Sequence, residues 1–231
     1  MMRVRLCFTK GPGVRFISHL DLLRTFERAL RRAALPLALT QGYHPRPKLT
    51  FASALALGAT SEAEYLDVEL AAPVPLGEIV RRLNSVLPAD IRVSAAGEVP
   101  AAAPPLMAIV DTALYELRPL RPLDEGQWER LGSVLAGLLR EKSLLVERTT
   151  KSGTKQVNLR PLILQAEVSG DKIAMLVRSG SRGNVRPEEL LALLGQEPTG
   201  WQVHRVGLFI AQDDRLRSPM ERTRTPRRSS S

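Results

Sequence analysis

The chain begins with alternating apolar and polar side chains. Val4, Leu6 and Phe8 fall on one face of an extended segment, with polar residues between them, and this period of two predicts a strand. The spacing then becomes helical from about Ser18, which with Asp21 three residues later forms an approximate capping box. The predicted helix, residues 18–34, carries one apolar stripe: Leu22, Leu23, Phe26, Ala29, Leu30 and Ala33.

The rest of the first half continues as strands and one more helix. Strands are predicted at 37–40, 48–53, 64–70 and 91–95, and a helix at 76–87. The first of these strands leads into the next through a turn containing glycine and proline, so the pair reads as a hairpin. With one extra short strand in the middle hairpin, this is the β-α-β-β-α-β order of the ferredoxin-like arrangement.

The same order recurs after a linker rich in proline and alanine at 100–106. The predicted elements are a strand at 108–117, a helix at 124–140, strands at 144–149, 156–168 and 172–177, a short helix near 186, and a strand at 203–210. We therefore predict an α+β fold of two tandem ferredoxin-like (βαββαβ) units with antiparallel sheets. The units would span 1–99 and 107–212, followed by a disordered basic tail at 213–231.

The formal net charge of +9 narrows the partners that this chain can have. A basic domain favours nucleic acid, acidic proteins or anionic surfaces, because neutralising phosphates releases counterions. About half of the excess charge lies in the predicted tail, where a solubilising role is as good an interpretation as an RNA-contacting arm.

The loop at 41–48 makes the best binding case. It places Tyr43 and His44 beside Arg46 and Lys48, and the prolines between them fix an extended backbone that loses little entropy on docking. An aromatic ring next to cations suits base stacking with phosphate contact. The alternative is a solvated turn whose prolines only guide the hairpin. The full set of candidate nucleic-acid-binding residues is Lys10, Arg15, Tyr43, His44, Arg46, Lys48, Lys151, Lys155, Arg160 and Arg182.

His19 and His44 are the candidates for catalysis. His19 lies in the first turn of a helix, where it could act as a general base or phosphate donor, but capping explains this turn equally well. No second catalytic group follows from spacing, and no nucleotide-binding glycine motif or metal-ligand motif is present. The single cysteine, Cys7, lies in a predicted strand and reads as a buried thiol. We therefore expect neither a cofactor nor a metal site.

The N-terminal segment lacks the apolar core of a signal peptide, and no apolar run is long enough to span a bilayer. The sequence therefore predicts a cytoplasmic protein that makes no membrane contact.

Three segments resemble a bacterial family, the radical-SAM-linked (radical-SAM-associated) proteins, a domain of unknown function. They are FISHLDLLRTFERALRR at 16–32, QGYHPRPKLTF at 41–51 and GATSEAEYLD at 58–67, with weaker similarity from NLRPLI at 158–163 to about residue 210. That family occurs alone beside, or fused to, a radical S-adenosylmethionine (SAM) protein with a cobalamin-binding-type domain. The resemblance implies that such an enzyme is the partner, and it transfers no catalytic residue. Family members commonly have Phe-Asn or Phe-His before the loop proline, so Tyr43-His44 puts a general-base role for His44 in doubt.

Three functions remain open from the sequence. The first is a non-catalytic accessory protein that binds RNA, either tRNA or rRNA, for the radical SAM enzyme. The second is a metal-independent RNA-processing enzyme that uses His19 or His44. The third is an adaptor that binds only the partner protein. The residues argue for binding more than for catalysis, which stays open.

Overall fold

A computed structural model describes residues 1–150, 153–180, 183–212 and 215–221. These residues form a mixed α+β fold with a mostly antiparallel sheet, and the α+β class predicted from the sequence is confirmed. The elements of the first half are β1 Met2–Lys10, α1 His19–Arg32, β2 Leu49–Phe51, β3 Thr60–Leu70, α2 Leu76–Asn84 and β4 Ile91–Val99.

The second half holds more elements than the first. They are α3 Leu106–Ile109, β5 Thr112–Pro119, α4 Glu125–Arg140, β6 Leu145–Thr150, β7 Gly153–Asn158, β8 Ile163–Ser169, β9 Lys172–Arg178, α5 Pro187–Leu193, β10 Trp201–Gln212 and β11 Arg215–Arg217.

Nine strands of the described chain form one sheet, in the order β4-β1-β3-β10-β5-β9-β8. In addition, β2 pairs with β3 and β11 pairs with β10. All pairs are antiparallel except β3 and β10, which pair in parallel over His204–Thr60 and Arg205–Ser61. The two halves therefore share a continuous sheet that is joined by a short parallel ladder.

The first half has its own apolar core. Phe8, Phe26 and Phe51 meet edge to face in it, with ring centroids 4.7 to 5.9 Å apart. The buried face of α1 contributes most of the stripe expected from its spacing. The predicted capping box is also present, because the Ser18 hydroxyl accepts from the Asp21 amide and the Asp21 carboxylate accepts from the Ser18 amide. The hydroxyl of Ser18 is the main cause that lowers the pKa of Asp21.

The second core lies in the other half and extends onto the first. It unites the inward faces of β5 and β9 with α4 and α5, and it also includes Cys7 and Tyr65 from strands of the first half. Helical spacing in α4 predicts an inward stripe of Trp128, Leu131, Val134, Leu135 and Leu138, but Val134 is 45% exposed, so this part of the prediction is wrong. The α4 stripe is narrower than predicted, because only Leu131 and Leu135 are buried.

The strand predicted at 156–168 is interrupted. Arg160–Leu162 forms a 3-10 turn, because Pro161 has no amide hydrogen to give to a sheet ladder. The chain on either side becomes β7 and β8, and β7 pairs only with β6 in a separate two-stranded sheet. The domain boundaries drawn from the sequence stay predictions.

Part of the predicted basic tail is ordered. Of residues 213–231 the structure describes 215–221, and there β11 pairs with β10. Arg5 Nη1 donates to the Pro219 carbonyl at 2.8 Å, and the Tyr65 and Ser218 hydroxyls are 3.3 Å apart. The segment 215–221 is therefore not a disordered tail, because β10 and the Arg5 side chain provide hydrogen-bond partners for its backbone.

Candidate nucleic-acid interface

The loop singled out in the sequence is the tip of a hairpin that projects beyond the edge of the sheet. Its two arms are held by backbone hydrogen bonds, from Thr40 to the Arg46 carbonyl at 2.8 Å and from Lys48 to the Ala38 carbonyl at 3.0 Å. Its base joins β3 through the isolated bridge Leu37–Leu70. Only 49–51 of the two predicted strands is regular, because the arms leave the sheet to form this projection.

The tip exposes an aromatic ring. Tyr43 is 96% exposed, and its ring stands edge-on to His44 with the centroids 5.3 Å apart. Gly42 has a φ of +136°, which places it in the region that favours glycine and lets the chain turn here. A tyrosine held in water at the end of a paired hairpin has its whole ring available to a ligand.

The two cations of the hairpin differ in whether an acidic side chain pairs with them. Lys48 lies 3.3 Å from the Glu69 carboxylate, so its charge is partly neutralised. Arg46 is exposed, and its guanidinium has no hydrogen bond or ion pair among the residues that the structure describes. Of the two, Arg46 is therefore better placed to contact a phosphate.

Helix α1 adds a row of cations on its solvent side. Their members are exposed and lie on the face opposite the apolar stripe: Arg24, Arg28, Arg31 and Arg32. The ion pair from Arg24 to Asp21, at 3.6 Å, lies in solvent and is weak. The helix leads into the hairpin within eight residues, so this basic face and the hairpin tip are consecutive in the chain.

His19 lies at the first position of α1 and is exposed. Its ring stands edge to face with Phe51, at 5.1 Å between centroids. Within the described residues neither His19 nor His44 has a carboxylate or a hydroxyl at hydrogen-bond distance. The structure does not bring the two histidines together with a group that could complete an acid–base pair.

Lys10 is not on a surface. It is 2% exposed, and its ammonium donates to the carbonyls of Arg15 and Ile17, at 2.9 and 3.5 Å. Burial lowers the pKa of Lys10, an effect that Glu64 opposes and Arg205 reinforces. Its assignment as a nucleic-acid contact is therefore wrong for this conformation, since the amine is enclosed where the strand ends.

A buried ionic cluster surrounds this amine, and sequence reasoning missed it. Arg205 on β10 binds the Glu64 carboxylate on β3 with both Nε and Nη2, and it donates to the Tyr115 hydroxyl at 3.2 Å. Although burial alone lowers the pKa of Arg205, Glu64 raises it above its usual value. The only sequence signal was a charged residue in each of two apolar strands.

The second basic set does not form one surface. Lys155 is exposed on β7, but Arg160 donates to the carbonyls of Leu139 and Ile163, at 2.9 and 3.2 Å. The Arg160 side chain therefore hydrogen-bonds a carbonyl in the last turn of α4. Its position does not support its assignment as a binding residue. Lys151 and Arg182 lie outside the described residues.

Arg15 is the remaining candidate. It is half-buried at the end of the 3-10 turn Pro12–Val14, and its guanidinium lies over the Phe16 ring with Cζ 4.6 Å from the centroid. Phe16, which sequence reasoning did not single out as a ligand contact, is 67% exposed. Phe16 lies two residues before the helix cap Ser18, and no local sequence signal distinguishes it from an apolar residue of the core.

His204 has structural partners. Its Nδ1 is 2.8 Å from the Thr60 hydroxyl and its Nε2 is 3.3 Å from Glu62 Oε1, across the parallel ladder that joins the two halves. These contacts give His204 a structural role at the junction of the two halves.

No group of three or more His, Cys, Asp or Glu side chains in the described chain could hold a metal ion. Over the same residues, no helix has the length and apolar character needed to cross a bilayer.

Comparison with protein families gives a match over most of the chain. The model of a family described as "Uncharacterized protein conserved in bacteria (DUF2344)" covers residues 3–187. The chain belongs to this family. Membership in DUF2344 confirms the expected bacterial family of unknown function, while the link to radical SAM enzymes stays a prediction. The match includes both the hairpin and α1.

No curated protein matches this DUF2344 member in sequence. Among solved structures, a chain of "Crystal Structure of a Cbf5-Nop10-Gar1 Complex" is 10% identical with a TM-score of 0.38; the match covers 90% of this chain and 47% of that one. An unknown protein from Galdieria sulphuraria is 14% identical with a TM-score of 0.28, over 89% of this chain and 97% of that one. The present chain thus spans less than half of the first of these chains. Likenesses of this size bear on neither the fold nor the function.

Proposed function

We propose that this DUF2344 member is a non-catalytic RNA-binding accessory protein, and that the hairpin at 40–48 and the exposed face of α1 hold the RNA. The observation that carries the proposal is the nearly complete exposure of Tyr43, beside His44 and near Arg46, whose guanidinium has no partner among the described residues. A ring in water buries no apolar surface, so its position is accounted for by a ligand that stacks on it.

The charges complement this ring. The arginine row of α1 offers phosphate contacts that carry no sequence information, while an exposed tyrosine and histidine can stack on unpaired bases. This combination suits a single-stranded loop or end of a structured RNA, such as tRNA or rRNA, better than a regular duplex, whose bases are not accessible for stacking.

The strand orders support two ferredoxin-like units as the scaffold. β4-β1-β3-β2 and β10-β5-β9-β8 are the same permutation of four strands, with a helix after the first and third strand of each set. On this interpretation β6 and β7 are an inserted hairpin, and the RNA surface belongs to the first unit.

The partner in this proposal is a radical SAM enzyme of the cobalamin-binding type, as the family resemblance implies. The enzyme would carry out the chemistry, because His19 and His44 have no acid–base partner among the described residues. The present chain would supply the RNA to it.

The test is RNA binding measured at several salt concentrations. Affinity for an unstructured RNA and for tRNA should fall as salt rises, and Tyr43→Ala should weaken binding by about 1–3 kcal/mol without changing the salt slope. Arg121→Ala, an exposed arginine that follows β5, is the matched control and should leave binding unchanged.

Three results would overturn the proposal. RNA binding that is absent or insensitive to salt would remove the RNA surface. Turnover of RNA by the purified protein, abolished in His19→Ala, would assign the chain to metal-independent RNA processing. Capture of the radical SAM enzyme without any retained RNA would instead leave a protein-only adaptor.

A further inference from the structure

A cleft lies between the two halves of the molecule. Its walls are the turn Pro12–Val14 with Arg15 and Phe16, the loop at 56–58, and the segment from α5 to the start of β10. Its volume is about 550 Å³. This lies within the range of roughly 300–1,000 Å³ that is usual for small-molecule sites.

The walls of the cleft carry large apolar side chains that are mostly exposed to solvent. Phe16, Leu57 and Leu120 line it while remaining 67%, 66% and 64% exposed. Three large apolar side chains around one concavity leave a surface that a flat apolar ligand would cover. Trp201 lines the same cleft, although it is largely buried against Trp128 at 6.1 Å.

A cation stands at one wall. The Arg15 guanidinium lies over the Phe16 ring, and its hydrogen bond from Nη1 to the Pro12 carbonyl is long at 3.3 Å. Its other N–H groups have no partner among the described residues and are available to an anion. A planar guanidinium next to an aromatic ring offers both a stacking surface and phosphate contacts.

A carboxylate without a hydrogen-bond donor also lines the cleft, on the segment from α5 to β10. Glu188, in the first turn of α5, lines the cleft, and its Oε2 is buried with no hydrogen-bond partner among the described residues. A buried carboxylate oxygen that makes no hydrogen bond carries a desolvation cost, which rotation of the carboxylate toward a ligand with N–H donors in the cleft would relieve.

We propose that this cleft binds a guanine nucleotide. Guanine stacks against the Phe16 side of the cleft, Glu188 accepts from its N1–H and N2–H groups, and Arg15 contacts the phosphate. The carboxylate selects guanine because its Watson–Crick edge presents two adjacent donors, whereas adenine and cytosine present one amino group and uracil one ring N–H.

The nucleotide can come from two sources, an unpaired guanosine within RNA or free guanosine monophosphate (GMP). The inference goes beyond the proposed RNA binding and uses none of the residues of the hairpin. The two proposals can therefore fail separately.

The first experiment titrates the protein with GMP, AMP, CMP and UMP, with tryptophan fluorescence as the readout because Trp201 lines the cleft. GMP should bind about tenfold or more tighter than the others. Glu188→Gln should remove this preference and leave AMP binding as it was. Glu129→Gln, an exposed carboxylate of α4 outside the cleft, is the matched control and should change nothing.

A second variant protects the test against misfolding. Phe16→Ala alters an exposed side chain, so the fold should persist, and it should weaken binding of all four nucleotides by about tenfold, the stacking being common to them. Thermal unfolding curves of both variants that match the wild type confirm that the cleft is intact.

A second experiment decides between free GMP and a guanosine within RNA. If free GMP does not bind, the affinities of short oligouridine RNAs with and without one guanosine are compared. A preference for the RNA with guanosine, abolished by Glu188→Gln, assigns the site to RNA. Equal affinity for all four nucleotides together with no preference among the RNAs overturns the proposal. A guanine preference that survives Glu188→Gln overturns it as well.

Tyr43→Ala separates the two functions. It should keep the GMP titration unchanged while it weakens RNA binding through the hairpin. If Tyr43→Ala leaves RNA binding unchanged while the wild type still prefers GMP, the proposal for the hairpin is wrong and the proposal for the cleft stands.

Discussion

Arg205 of β10 and Glu64 of β3 form an ion pair inside the molecule, with Nε 2.7 Å from Oε1 and both residues 1–2% exposed. The pair lies beside the two-residue parallel ladder that joins the halves of the sheet. It is therefore a main polar connection between them.

Replacing Glu64 should be costly, because the guanidinium would stay buried without its counter-charge and with the Lys10 ammonium near it. We expect Glu64→Gln to lower the free energy of unfolding by about 3–5 kcal/mol in urea denaturation. Glu62→Gln, on the same strand with a side chain 68% exposed, should change it by less than about 0.5 kcal/mol.

The double variant Glu64→Met, Arg205→Met should be more stable than Glu64→Gln alone, because it removes the buried guanidinium together with its counter-charge. The same urea curves measure it. Losses that simply add, with the double variant the least stable, would show that the two side chains are not coupled.

The stability should fall at high pH because of Tyr65. Burial raises the pKa of Tyr65 from 10.0 to about 12, opposed by its hydrogen bond with Ser218. Between these values the unfolded chain loses the phenol proton while the folded chain retains it, so the folded state binds more protons and stability decreases as pH rises.

Urea denaturation at pH 9, 10 and 11 checks this. The wild type should lose stability over the series, and Tyr65→Phe should lose less of it, although it starts about 1 kcal/mol lower because its hydrogen bond is absent. Parallel curves for the two proteins across the series would contradict the assignment to Tyr65.

The two hairpin cations should contribute unequally to RNA binding. Arg46 has no ion pair among the described residues, whereas Lys48 lies 3.3 Å from Glu69. Arg46→Ala should reduce the slope of log K against log salt by about 0.7, the value for one phosphate contact on a single strand, and Lys48→Ala by less.

Glu69→Gln serves as the control, since it frees Lys48 and should strengthen binding slightly. Filter binding of a labelled single-stranded RNA at four salt concentrations gives the slopes. Equal slopes for Arg46→Ala and wild type would place the phosphate contact elsewhere.

The elements with strong local signals were predictable from the sequence. The helix α1 was fixed by its apolar period and by the capping pair Ser18 and Asp21, both of which act within one turn. The strand β1 followed from alternation over eight residues. These signals are local, so the residues that carry them need no knowledge of the rest of the fold.

What could not be predicted depends on contacts distant in the chain. The join of β3 to β10 brings together residues more than 140 positions apart, and the pairing of Glu64 with Arg205 has no signature in either strand. The same reason explains Lys10, which looked like a surface cation because nothing nearby in sequence shows that it is enclosed.

The candidate site divides in the same way. The hairpin was predictable, because Gly42 and its two prolines determine the turn and Tyr43 has no apolar stripe to join. The cleft was not, since Phe16 and Glu188 meet at it only through the packing of one half on the other.

The segment after β11 is held by contacts with the rest of the protein. Met220 packs against the second core, with its Cε near Gly97, and the Pro219 carbonyl accepts from Arg5. Met220→Ala should lower the free energy of unfolding by about 1 kcal/mol, part of the value for a fully buried methionine, and should speed trypsin cleavage after Arg217. Met107→Ala is the control, because Met107 is 57% exposed and should affect neither measurement. Urea denaturation and timed proteolysis give the two readouts, and cleavage after Arg217 at the wild-type rate in Met220→Ala would show that the segment is held by its backbone hydrogen bonds alone.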